Sequence, residues 1–156
     1  MASLFKGLTL IEIVIVIAIM AILSGLVLVT LNPKEQTSKT TDSNKKTDSA
    51  GLLGAIDRFY TSYQGQYPWE LVANCSAPAS NGSSTVNSCW LNKLVSSGEL
   101  QQGFADSSTI SSFIVTLNSQ GVHVCFAPES KAFLAQALYN SSGTKVTPGT
   151  HICVPE

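Results

Sequence analysis

The strongest constraint on this 156-residue chain is an apolar run from Leu8 to Leu31. Nothing polar interrupts it between Ile13 and Leu23, and beyond that only Ser24, Gly25 and Thr30 are mild breaks. As a helix the run would be roughly 36 Å long, enough for a hydrocarbon core of about 30 Å. It is longer than a secretory signal's apolar stretch of about 7–15 residues and has no small-residue exit of the Ala-x-Ala type. Asn32-Pro33 and a charged stretch follow instead. The run therefore predicts a membrane-spanning helix over 8–31. A plain signal anchor would be uniformly apolar, whereas this one carries Glu12. An acid within a spanning helix costs on the order of 3 kcal/mol and usually marks a function with a partner. A position near the helix start, where the positive helix terminus lies, explains how the acid is tolerated but not why it is present.

Two signals disagree on orientation. Lys6 precedes the run, and Lys34, Lys39, Lys45 and Lys46 follow it, interleaved with Glu35, Asp42 and Asp48. Counting basic residues places the C-terminal side in the cytoplasm. The four cysteines, Cys75, Cys89, Cys125 and Cys153, are even in number and contain no Cys-x-x-Cys, which suits disulfides outside the cytoplasm. The cysteines decide the reading, because positive-inside is a statistical bias.

Past the apolar run the chain reads as a small polar globule. Taken alone, Gln36 to Ser49 is a linker rich in Thr, Ser, Lys and Asp. From Ser49 to Gln64 a helical stripe emerges: Leu52, Leu53, Ile56, Phe59, Tyr60 and Tyr63. Gly65-Gln66-Tyr67-Pro68 ends it, a Ser/Asn/Gly/Pro loop covers 74–88, and a short helix over 90–95 turns Trp90, Leu91, Leu94 and Val95 inward. After Gly103 the period drops to two. Strands are expected at 112–117, 122–127 and 151–154, with 131–139 open between a strand and one or two helical turns. The fold class is α+β: a long N-terminal helix, apolar then amphipathic, on an antiparallel sheet of three or four strands.

The segment from Lys6-Gly7-Leu8-Thr9-Leu10-Ile11-Glu12 to Ile19 closely resembles the class III signal of bacterial type IV pilins and type II secretion pseudopilins. The resemblance implies that a prepilin peptidase cuts between Gly7 and Leu8 and N-methylates Leu8. Glu12 would then pair with the amine of a neighbouring subunit. It implies a structural subunit rather than an enzyme, with no cofactor. The implied partners are further copies in a homopolymer filament, minor pilins, the peptidase, an assembly platform and ATPase, and the membrane. It also implies that 36–49 continues as helix, giving a leader (1–7), a span and filament core (8–31), a helical continuation (32–64) and a head (65–156). The head would lie outside the cytoplasm, first on a single-pass precursor and then on an extracellular pilus. Leu8 stands where the family usually has Phe, and Val29 where it often has proline; any bend is therefore expected at Asn32-Pro33. The chemistry agrees, since cleavage frees a charged amine beside an apolar helix, and a cation and a carboxylate are cheaper there as a pair. An intrachain pair between Leu8 and Glu12 is the simpler alternative.

Other patterns have simpler readings. Four cysteines allow three pairings; Cys75–Cys89, closing a short loop, with Cys125–Cys153, tying the last strand to the sheet, is favoured. His123-x-Cys125 and His151-x-Cys153 would put two His and two Cys on adjacent strands in a zinc-like set, but thiols outside the cytoplasm oxidise, so no metal is expected. No orienting acid lies near in sequence, so no Cys/His nucleophile and no catalytic residue is expected. Phe59, Tyr60, Tyr63 and Tyr67 read as core rather than as a conducting or ligand-stacking array. Asn74, Asn81 and Asn140 begin Asn-x-Ser sequons, which carry little weight if the source is bacterial, as the resemblance implies. Net charge is −1, and from Gly65 onward Lys93, Lys131 and Lys145 face five acids. Without clustered basic residues, specific nucleic-acid binding is not expected.

Overall fold

The computed structural model describes residues 9–30, 32–78, 84–86 and 88–156, with backbone alone for 26–30 and 84–85. Contacts divide the chain into two compact units, Met1–Thr37 and Ser38–Glu156. The first holds α1, Leu10–Thr30, whose described apolar side chains are exposed. Its ladder runs through Gly25 without a break. The regular helix stops at the expected place: Asn32 adopts a left-handed φ of 36° and α2 begins at Pro33. Proline suits a first helical turn, where its missing N–H has no partner to lose. The Asn32 carbonyl then accepts from Glu35 N–H (3.1 Å) and Gln36 N–H (3.3 Å) to start the new ladder.

Helix α2, Pro33–Ser62, is continuous through the polar 36–49 stretch. Its end is a Schellman-type cap, with Gln64 and Gly65 at positive φ and Gly65 N–H donating to the Tyr60 carbonyl at 2.9 Å. The stripe faces inward through Leu52, Ala55, Ile56 and Phe59, all fully buried, with Leu53 and Tyr63 packed beside them. Tyr60 departs from the expectation: it is 40 % exposed, and its ring lies 4.6 Å from that of Tyr67. Trp69, at 3 % exposure, takes the inward place near Trp90, because the turn after α2 carries it back over the core.

After β1, Ser84–Thr85, come α3, Ser88–Ser96, and the single turn α4, Gln102–Ala105. In α3, Trp90, Leu91 and Leu94 are buried and Val95 half-buried. A 3₁₀ turn, Ile110–Ser112, replaces the first expected strand residue. The sheet continues with β2 (Ile114–Asn118), β3 (Gly121–Phe126) and β4 (Ile152–Val154), in the antiparallel order β1-β2-β3-β4. The two-residue β1, pairing Ser84 with Val115, sits inside the segment expected to be loop; it has no apolar pattern of its own and exists through its partner. Between β3 and β4 the ambiguous 131–139 segment forms α5, Lys131–Leu134, one turn of helix.

Alternation sends Val115, Val122 and Val124 into the main core with α2. The opposite face is also buried. Cys125, Cys153 and Tyr139 form a second small cluster there with Ile114 packed against it, and Thr116 (1 % exposed) and His123 (5 %) are enclosed. Tyr139 bridges both Lys145 and His151, which folds 139–151 back over the sheet. Gly143 permits the close approach: at φ 70°, a Cβ there would stand 2.6 Å from Thr116 Oγ1.

Candidate functional site

Thr9 and Glu12 lie at the start of α1. Thr9 donates its backbone N–H (2.8 Å) and its hydroxyl (2.7 Å) to Glu12 Oε2. Glu12 N–H in turn donates to Thr9 Oγ1 at 3.4 Å and to the Thr9 carbonyl at 3.1 Å. This is a capping box, in which N-cap and third helical residue satisfy each other. It supplies a local reason for a carboxylate at this position that the sequence reading lacked, although the Thr-x-x-Glu spacing was visible. Beyond it, apolar side chains are exposed around the whole described helix, including Leu10 (82 %), Ile11 (62 %), Met20 (61 %) and Ile22 (66 %). A stripe facing its own globule would leave one side buried; this helix has no such side. Among the described residues, no helix is long and apolar enough to cross a membrane. The 8–31 run extends past them at both ends, and Gly7 and Leu8, the expected cleavage and methylation residues, also lie outside them.

In the head, Cys75 is joined to Cys89 and Cys125 to Cys153. Cys125 and Cys153 are direct cross-strand partners on β3 and β4. Their sulfurs are consumed by the bond, which removes the thiolates a zinc site would need. His123 Nδ1 instead faces the Pro155 carbonyl at 3.2 Å, and His151 Nδ1 faces Thr150 Oγ1 at 2.9 Å. Burial pushes the His151 pKa down from its ordinary value. The aromatic side chains form a packed cluster: Phe59 stacks on Tyr63 at 4.0 Å and Tyr67 on Trp69 at 4.7 Å. Burial, then the neighbouring Tyr60, raises the Tyr67 phenol.

Asp42 was missed by sequence reasoning. It is fully buried on α2 and accepts Glu129 N–H (2.9 and 3.1 Å to its two oxygens), Ser130 N–H (2.8 Å) and Ser130 Oγ–H (2.7 Å). Ser130 in turn caps α5 by accepting from Phe133 N–H at 3.3 Å. Lys45–Glu129 and Lys46–Glu156 ion pairs, each 2.6 Å, flank this clasp. In a run of Thr, Ser, Lys and Asp, nothing local distinguishes Asp42 from a solvated acid; its partners lie 87 and 88 residues away.

The comparisons agree with the motif. Residues 3–28 match the family model for the prokaryotic N-terminal methylation motif. No curated protein and no solved structure matches the chain. The motif indicates a structural pilin-type subunit, not an enzyme. The chain carries the class III prepilin signal of type IV pilins and type II secretion pseudopilins. The signal implies a membrane-anchored precursor, processing by a prepilin peptidase and assembly into a pilus-type polymer.

Proposed function

We propose that the chain is the structural subunit of a type IV pilus. The precursor is held in the cytoplasmic membrane by 8–31 with its head outside, cleaved after Gly7, N-methylated at Leu8 and polymerised through α1. The precursor divides into leader 1–7, which cleavage removes, filament core 8–31, helical continuation 32–64 and head 65–156. The observation that carries this reading is the methylation motif opening directly onto a helix whose apolar side chains are exposed on every side. Such a surface is stable in lipid or against copies of itself, and a filament core supplies the second environment. Two disulfides and a Ser/Asn-rich head suit a surface fibre. A pseudopilin of a type II secretion or competence system uses the same signal and is the second reading.

Within this proposal Glu12 has two tasks, capping its own helix and pairing with the Leu8 amine of a neighbour. They separate by substitution. Gln can close a capping box but carries no charge, so Glu12→Gln keeps the helix start and removes the ion pair. The variant is expected to be processed yet not assembled; normal filaments from it would refute the pairing role. Mass spectrometry of the mature protein tests the whole scheme. A chain starting at methylated Leu8 is expected, and retention of residues 1–7 with Leu8 unmethylated would sink it.

A further inference from the structure

The two bridges of the head sit in opposite surroundings. Cys125 and Cys153 are fully buried, clustered with Tyr139 and Ile114 on the covered face of the sheet. Cys75 and Cys89 are both half-buried, with Cys75 at the margin of the main core. Thiol–disulfide exchange requires an incoming thiolate to reach one of the two sulfurs, so access decides which bridge an external thiol opens. Of the two, only Cys75–Cys89 is made by residues that reach the surface.

Its two sulfurs are not equivalent. Cys89 lies in the first turn of α3, a nine-residue helix with no acid in that turn. The positive end of a helix stabilises a thiolate, and the better-stabilised thiolate leaves faster. An incoming thiolate therefore attacks Cys75 Sγ and expels Cys89 as its thiolate. With a dithiol, the second thiolate then attacks the reagent's own sulfur in the mixed disulfide. That releases Cys75 and closes the reagent's disulfide. Two electrons pass from the dithiol to the bridge, and its two protons end on the cysteine thiolates or in solvent.

What the bridge holds follows from chain order. Strand β1 lies between the two cysteines and is the outer strand of the sheet. It pairs Ser84 with Val115 and Thr85 with Ile114, and Val86 N–H adds a bond to the Phe113 carbonyl at 3.3 Å. A pairing this short is marginal by itself. The bridge supports it by joining residues 14 apart in sequence, which closes the loop that carries β1. Without β1, β2 becomes an edge with unpaired backbone groups, a template for another strand.

We infer that Cys75–Cys89 is a thiol-operated latch. Intact, it keeps β1 on β2. Reduced, it frees β1 and bares the sheet edge at 113–115, while Cys125–Cys153 stays closed and the head stays folded. The latch needs nothing from α1 and stands apart from the filament reading.

The test treats the full ¹⁵N-labelled chain, in phosphocholine micelles without denaturant, with dithiothreitol. Free thiols are trapped with N-ethylmaleimide and located by peptide mass spectrometry. Cys75 and Cys89 are expected to be labelled at least roughly tenfold faster than Cys125 and Cys153. After that first reduction, hydrogen exchange at the Val86 amide should rise roughly tenfold, with Val124 on β3 unchanged. Glutathione, a monothiol, should be trapped mainly on Cys75; an adduct mainly on Cys89 would overturn the direction of attack. The double change Cys75→Ser with Cys89→Ser should reproduce the Val86 exchange of the reduced chain, and the dithiothreitol experiment carries the test should that variant misfold. Equal labelling of all four cysteines, or Val86 exchange unchanged by reduction, overturns the latch.

Discussion

Two carboxylates on neighbouring helices meet opposite fates. Glu12, on α1, is exposed and held by Thr9, three residues before it. Asp42, on α2, is fully buried and held by backbone and hydroxyl donors from Glu129 and Ser130. The first is a local device that any isolated helix could form. The second exists only when the far half of the head has folded against α2. The helices differ in the same sense: described apolar side chains of α1 are exposed, whereas the inward stripe of α2 is spent within its own unit. An acid on an unsatisfied surface remains available to a partner, while an acid inside a folded unit serves that unit.

If the contrast holds, substitutions should separate assembly from stability. The largest effect belongs to Glu12→Gln, where electron microscopy should find filaments absent while the head's melting temperature stays unchanged; an equal loss of stability would erase the distinction. Next comes Phe59→Ala, expected to cost the head about 3–5 kcal/mol by emptying a fully buried site. Reduction-proof replacement of the Cys125–Cys153 pair by serine should cost roughly 3.5 kcal/mol for a loop of this length. Asp42→Ala strands three donors and should cost roughly 3 kcal/mol in denaturant unfolding, with processing at Gly7 unaffected. A change below about 0.5 kcal/mol would mean that the clasp is replaced by water.

The smallest effect is one of pH. His151 has a folded pKa below its ordinary value because burial disfavours the imidazolium. The unfolded chain therefore binds the proton more readily, and stability should fall as pH drops through about 6.5. Glu156 is also depressed, first by its hydrogen bond to Lys46, so its contribution is present above the ordinary carboxylate range and lost at lower pH. The two windows are separate. His151→Asn should flatten the upper one and leave the lower; an unchanged profile near neutrality would remove His151 from the account.

Much of this was legible in one dimension. The apolar run, the Gly-Leu-Thr-x-x-Glu spacing, the break at Asn32-Pro33, the α2 stripe and the β2–β3 hairpin are periodic or local, and period and spacing are properties of sequence. Tyr60 was misplaced because its ring lies against Tyr67, in the turn after α2, and stays 40 % exposed instead of joining the buried stripe. The 131–139 segment could not be decided from its own residues, since Ala-Phe-Leu-Ala fits either period; Ser130 supplied the cap and Asp42 fixed Ser130 in place. The second buried face of the sheet was invisible, because an alternating strand looks the same whether its other side meets water or a returning loop. What the sequence alone determined was a helix that no water-soluble monomer should expose and an acid placed near its start. Tertiary structure decided which acid is buried, which face of the sheet is covered and that the His123 imidazole is enclosed with its Nδ1 against the Pro155 carbonyl, because each depends on residues that only folding brings within reach.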